Sequence, residues 1–108
     1  MGKIGQYDVF WVDLEPTQGS EMSKKRPCVV LSPNEMNDYL KTVIIAPLTS
    51  NTRCLPSRVM IVFDGRDGAV ALDHIRSISK TRMGNHIGKL DFSEIQDIKD
   101  VINEMLCR

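Results

Sequence analysis

Three groups of polar side chains stand at the edges of apolar runs in this chain. Ser20, Glu21, Lys24, Lys25 and Arg26 precede Pro27-Cys28-Val29-Val30-Leu31; Thr49, Ser50 and Arg53 follow Val43 to Leu48; Asp73, His74 and Arg76 interrupt a third run. An Arg beside an apolar strand suits a phosphate, because its planar fork donates two hydrogen bonds at once. Thr and Ser hydroxyls add donors to phosphate oxygens. A nearby carboxylate can accept a hydroxyl proton, and a His can exchange one near neutral pH. The same residues have plain alternatives: a surface Arg, a strand-end Thr bonded to local backbone, a solvated loop acid. No Cys/His cluster has metal-ligand spacing, and GxSxG, HExxH and P-loop patterns are absent. The groups on offer therefore suit phosphate-ester chemistry run by side chains.

The charge balance sharpens this. Fourteen Lys and Arg offset fourteen Asp and Glu, which excludes a general polyanion binder and requires any nucleic-acid contact to be a local patch. Charge is nevertheless segregated. No acid lies between Asp73 and Asp91, a stretch that holds Arg76, Lys80, Arg82 and Lys89, whereas Glu94, Asp97, Asp100 and Glu104 crowd the C-terminal segment. Arg53 and Arg58 form a further basic pair. The longest uncharged apolar stretch, 42–48, is far short of the ~20 residues of a membrane span. Residues 1–6 lack a signal-peptide core, and Cys28, Cys54 and Cys107 are an odd, widely spaced set that fits a reducing compartment. The expected location is the cytoplasm, with no membrane partner.

The elements that must position these groups are short. A chain of 108 residues with 42% hydrophobic composition makes one globular domain, 1–108. Residues 7–14 alternate as a strand, with Val9, Trp11 and Asp13 on one face. Strands are also expected at 27–32, 43–48, 57–63, within 69–79 (one or two) and at 87–90. A short helix is expected at 33–40 with Ser32 as N-cap, and a turn at 64–68. The loop 15–26 is long, as functional loops often are. Ser93 with Gln96 reads as a capping box opening a final helix. Its stripe of Ile95, Ile98, Val101, Ile102, Met105 and Leu106 should close one side or end of the sheet. The pattern predicts a mainly β fold: a small, partly closed antiparallel barrel with a C-terminal amphipathic helix.

The ordered strings resemble a known family. Tyr7-Asp8-Val9-Phe10-Trp11-Val12-Asp13-Leu14-Glu15-Pro16, then Gly19-Ser20-Glu21 and Arg26-Pro27, are similar to the MazF/PemK (Kid) toxins of bacterial toxin–antitoxin systems. Ile45-Ala46-Pro47-Leu48-Thr49-Ser50, Ala71-Leu72-Asp73-His74-Ile75-Arg76-Ser77-Ile78 and Gly88-Lys89-Leu90 follow in the family's order. The resemblance implies an SH3-like barrel, a homodimer, a cognate antitoxin and a cofactor-free endoribonuclease that cuts single-stranded RNA. The implied cut is attack of the ribose 2′-hydroxyl on its own phosphodiester, leaving a 2′,3′-cyclic phosphate and a 5′-hydroxyl.

Carried over by position, Arg26, Thr49 and Glu21 are the expected catalytic residues: Arg26 on the scissile phosphate, Thr49 on a nonbridging oxygen, Glu21 as base or base-reading acceptor. Ser20, Lys24, Lys25, Ser50, Arg53, Asp73, His74 and Arg76 are the expected RNA contacts. Two departures qualify the match. Some relatives carry His at the position of Ser20 and Arg at that of Ala71, so an acid–base scheme built on those groups lacks parts here; Asp73 is then an RNA-contacting or orienting group. His74 stands where Gln is usual. The alternatives are a CcdB-like topoisomerase poison without nuclease activity, a peptide-binding module and an inactive homologue.

Overall fold

The computed structural model describes residues 3–14 and 25–107; Ser20, Glu21 and Lys24 lie outside them. The described residues form seven strands and two helices: β1 (Asp8–Asp13), β2 (Lys25–Val30), α1 (Asn34–Tyr39), β3 (Thr42–Thr49), β4 (Arg58–Phe63), β5 (Arg66–Ala71), β6 (Arg76–Ser79), β7 (Met83–Lys89) and α2 (Phe92–Leu106). Short 3-10 turns at Leu72–His74 and Lys80–Arg82 precede β6 and β7. The described strand pairs are antiparallel and run in the order β4-β5-β3-β2-β1-β7, with β6 on β3. The expected mainly β, curled barrel-like sheet with a C-terminal helix is what forms.

Curling follows from local features. β3 is long enough to hold β6 along its first half and β5 along its end, while β2 takes its other edge. The β1–β7 ladder slips on either side of Phe10, and such irregularities add twist. At Gly88 a Cβ would come within 2.9 Å of the Phe63 ring. The absent side chain therefore lets the end of β4 approach β7, so the two ends of the strand path meet.

Burial lies on both faces of this sheet. Phe10, Val12, Cys28, Val30, Val43, Ile45 and Ile78 pack on one side. Val9, Val29, Ala46, Leu48, Val59, Ile61, Val70 and Leu72 pack on the other, against Ile98 of α2. This is why β1 buries consecutive residues, Val9 and Phe10, and then exposes Trp11 at 42%. Trp11 shares a face with Val9, but beyond the reach of the helix.

Several boundaries differ from expectation. α2 is capped by Asp91, not Ser93. The Asp91 carboxylate accepts from the Glu94 amide and the Glu94 carboxylate accepts from the Asp91 amide. Asp91 holds the extended backbone a cap requires, whereas Ser93 is already helical and Gln96 instead bonds Asp100. The other Glu94 oxygen accepts the Val62 amide at 3.0 Å, occupying a donor on edge strand β4. The apolar stripe is buried only at its centre, and Met105 and Leu106 project from the last turn. α1 starts after Pro33, which has no side-chain cap. Ser32 is instead buried, donating to Asn37 and accepting from Ile44. The 64–68 turn tightens to Asp64-Gly65, both at positive φ, so β5 begins at Arg66 in a two-residue hairpin. The 69–79 segment breaks into two strands, and β7 begins four residues earlier than expected.

Candidate active site

Arg26 and Thr49 are separated by twenty-two residues and meet through strand pairing. Cys28 pairs with Pro47 and Val30 with Ile45; continuing that register sets Arg26 opposite Thr49. β1 flanks Arg26 on its other side through Val12, and β5 flanks Thr49 through Ala69. Arg26, Thr49 and Ser50 line one cleft of about 540 Å³. Its apolar lining comes from Trp11, Leu48, Ile61, Phe63 and Ile87, and its charged lining adds Asp64, Arg66 and Asp67 from the β4–β5 hairpin.

The Arg26 guanidinium is only partly engaged. One Nη donates to the Leu48 carbonyl oxygen at 3.4 Å, and the buried Nε has no hydrogen-bond partner among the described residues. Leaving such a donor unmatched costs about 1–3 kcal/mol, more for a charged group, so the site favours an anion. Thr49 Oγ1 accepts the Asn51 amide at 3.1 Å, which orients the hydroxyl and leaves its proton to be donated. The Asn51 side chain in turn accepts the Arg53 amide, shaping the exposed loop that carries Ser50 and Arg53.

Asp73 and His74 are not part of this cleft's lining. Arg58 holds Asp73 with two hydrogen bonds, 2.7 and 3.2 Å, and His74 Nε2 lies 3.5 Å from the same carboxylate. The Arg58 bond lowers the Asp73 carboxyl to about 2, which keeps it ionised throughout the neutral range. Arg58 is therefore neutralised within the fold and drops out of the expected basic surface. The 76–89 stretch is also largely tied down. Arg76 donates to Leu14, Arg82 to Asp13 and Lys80 to Asn37, each to a backbone carbonyl. Lys25 remains exposed at the start of β2.

Cys28 packs behind Arg26. Burial pushes its thiol up to about 12 against the opposing pull of Arg26 and Arg76, so it is a core residue and no nucleophile. Among the described residues no three His, Cys, Asp or Glu side chains group so as to hold a metal ion, and no helix is long and apolar enough to cross a membrane.

The sequence-based list omitted Trp11, Phe63, Arg66 and Asp67 from the site. Trp11 carried a signal, since an aromatic on the same strand face as Asp13 has a polar neighbour. The hairpin residues carried none, because Phe63 reaches the cleft only when β4 curls over Gly88.

A family profile described as PemK-like, MazF-like toxin of type II toxin–antitoxin system matches residues 5–106. The endoribonuclease toxin MazF of Escherichia coli K12 is 35% identical over 100 residues, covering 92% of this chain and 90% of that protein. The crystal structure of MazF (Form-I) from Deinococcus radiodurans superimposes with a TM-score of 0.87 at 23% identity, over the whole of both chains. A mycobacterial endoribonuclease in complex with its cognate antitoxin gives 0.82 at 21% identity, over 96% of this chain and 95% of that one. These likenesses support the nuclease reading and give none to the CcdB-like one.

Proposed function

We propose, for a chain that belongs to the PemK-like, MazF-like toxin family of type II toxin–antitoxin systems, that it is an endoribonuclease and that the Arg26–Thr49 cleft is where it cuts single-stranded RNA. The observation that carries the site assignment is Arg26: a fixed guanidinium whose buried Nε is unmatched among the described residues, beside a hydroxyl that still has a proton to donate.

The reaction balances without water. The ribose 2′-oxygen bonds to its adjacent phosphorus, its proton passes to a base, the bond from phosphorus to the 5′-oxygen breaks, and that oxygen takes up a proton. Arg26 and Thr49 donate to the nonbridging oxygens, whose charge grows in the phosphorane; preorganised donors of this kind lower the barrier without reorganising. Glu21 is the base in this reading. Ser20, Lys24, Lys25, Ser50 and Arg53 hold the RNA strand. Asp73, bound by Arg58, braces the turn that carries His74 and exchanges no proton at neutral pH. His74 reaches RNA from that turn, and Arg76, tied to the Leu14 carbonyl at the end of β1, adds a positive charge there.

A homodimer and a cognate antitoxin complete the reading. The exposed Met60, Val62 and Phe92 leave apolar surface beside an edge strand, and pairing of copies is a common way to cover such edges.

Purified protein incubated with single-stranded RNA in EDTA tests the chemistry. Products with cyclic phosphate and 5′-hydroxyl ends are expected. Dependence on magnesium, or 5′-phosphate ends, would refute the mechanism. Full activity in Arg26→Ala would move the site elsewhere.

A further inference from the structure

Trp11 lines two hollows at once. On one side lies the cleft of Arg26 and Thr49; on the other, a hollow of about 390 Å³ lined by Lys25, Thr81, Arg82 and Asn85. The indole is 42% exposed, an unusual state for a large ring on a central strand. Its placement has a backbone cause. Trp11 pairs with Pro27 on β2, and on the β7 side a Cβ at Gly84 would stand 3.0 Å from the Trp11 carbonyl oxygen. Neighbouring strands thus offer Pro and Gly, and neither has a long side chain to cover the ring. Each hollow has cations on its wall, Arg26 and Arg66 in one and Lys25 and Arg82 in the other, beside the carboxylates of Asp64 and Asp67 in the first and of Asp13 in the second. An aromatic ridge with cations on both sides is the arrangement that takes an unpaired strand, stacking a base on the ring while phosphates meet the charges.

We propose that Trp11 is the stacking platform for an unpaired base next to the scissile phosphate, and that the Lys25–Thr81–Asn85 hollow beyond it receives the neighbouring nucleotide. The proposal rests on the cleft being the cutting site. Lys25 and the Thr81 hydroxyl suit a phosphate; the Asn85 amide has both donor and acceptor for a base edge. Arg82, anchored on the Asp13 carbonyl, contributes a fixed positive charge.

The chain has a single Trp, so its fluorescence reports on this residue alone. The probe is an RNA oligonucleotide spanning a mapped cleavage site, made uncleavable by 2′-deoxy substitution at the cut. Binding should quench the fluorescence. Trp11→Ala should raise KM about ten- to a hundredfold, the range for loss of one base–aromatic stack, with kcat within a few-fold; Trp11→Phe should recover most of the loss. Removing one base beside the cut should impair wild type similarly and impair Trp11→Ala no further. Lys25→Ala should lower the salt dependence of binding by close to one phosphate contact. Unchanged fluorescence on binding, or additive penalties from the Ala variant and the abasic substrate, would overturn the platform. If Trp11→Ala is unfolded, the wild-type quench and the Phe variant decide. A Trp11→Ala enzyme with wild-type KM, while Arg26→Ala is inactive, would reject the platform and leave the nuclease reading standing. An inactive wild type that still quenches on RNA would do the reverse.

Discussion

Arg26 and Arg58 are the same residue type set into neighbouring parts of one sheet, and the fold uses them in opposite ways. Arg58 opens β4 and has its charge matched: two hydrogen bonds bind Asp73, which is thereby held far below the usual carboxylate range. Arg26 lies near the start of β2, has one carbonyl partner and keeps a buried Nε unmatched among the described residues. A matched ion pair ties elements together and has little left for a ligand. A guanidinium positioned by sheet pairing but incompletely bonded is ready for an anion. Chemistry should therefore depend on Arg26 and shape on Arg58.

The largest expected effect is on the Arg26 side. Arg26→Ala should lower the cleavage rate by about 10²–10³-fold, as loss of one preorganised donor to a developing oxyanion does, with an unchanged circular dichroism spectrum. Arg26→Lys should recover little, because an ammonium cannot reproduce the fork. Thr49→Ala should cost about tenfold or more by the same mechanism. Single-turnover cleavage of one RNA measures all three.

Arg58→Ala should reverse the pattern. Removing a hydrogen-bonded charge should destabilise the fold by about 2 kcal/mol, read as a lower urea midpoint, while cleavage by the folded fraction stays within a few-fold. A rate loss as deep as that of Arg26→Ala, without a stability loss, would erase the contrast.

The pair also sets an acid limb. Because folding lowers the Asp73 carboxyl from its ordinary value of 3.8 to about 2, its contribution is present above about pH 4 and is lost as pH falls from there towards 2. Asp73 is partly exposed, so solvent screening reduces that contribution to about 1 kcal/mol. The gap between the denaturation curves of wild type and Asp73→Asn should be about halved at pH 3 relative to pH 6. A wild type and Asn variant that differ equally at both would refute the assignment.

The smallest effect is local to the Arg26 side. Cys54 and Cys107 are exposed, whereas Cys28 is buried with its thiol raised to about 12. Native protein at pH 8 should therefore show two thiols to a disulfide reagent and the third only on unfolding. Fast reaction of Cys28 in the folded state would mean that the wall behind Arg26 is open.

Much of this was legible in the chain. The alternation through residues 7–14, the apolar runs of β2 and β3 and the stripe around Ile98 depend on nearest neighbours and periodicity, so strands and terminal helix could be read directly. Arg26 and Thr49 could be chosen by chemical type and by the ordered motifs around them. The cap of α2 is not legible in the chain, because Asp91 and Ser93 can both serve as caps and only the backbone at Asp91 selects between them. The basic surface is smaller than the charge pattern suggests. A count of Arg and Lys does not reveal that Arg58 meets Asp73 fifteen residues away, or that Arg76 and Arg82 turn to carbonyls at the end of β1.

By itself, then, the sequence determined which segments pair, which faces are apolar and which side chains have phosphate chemistry to offer. Those are properties of residue type and local spacing. The tertiary structure alone decided which of those side chains remain available. Curling β4 over Gly88 brought Phe63, Arg66 and Asp67 to the cleft, strand register set Arg26 opposite Thr49, and α2 stopped short of Trp11. Each of these depends on contacts between segments far apart in the chain, where hydrogen-bond partners are assigned by geometry and not by order.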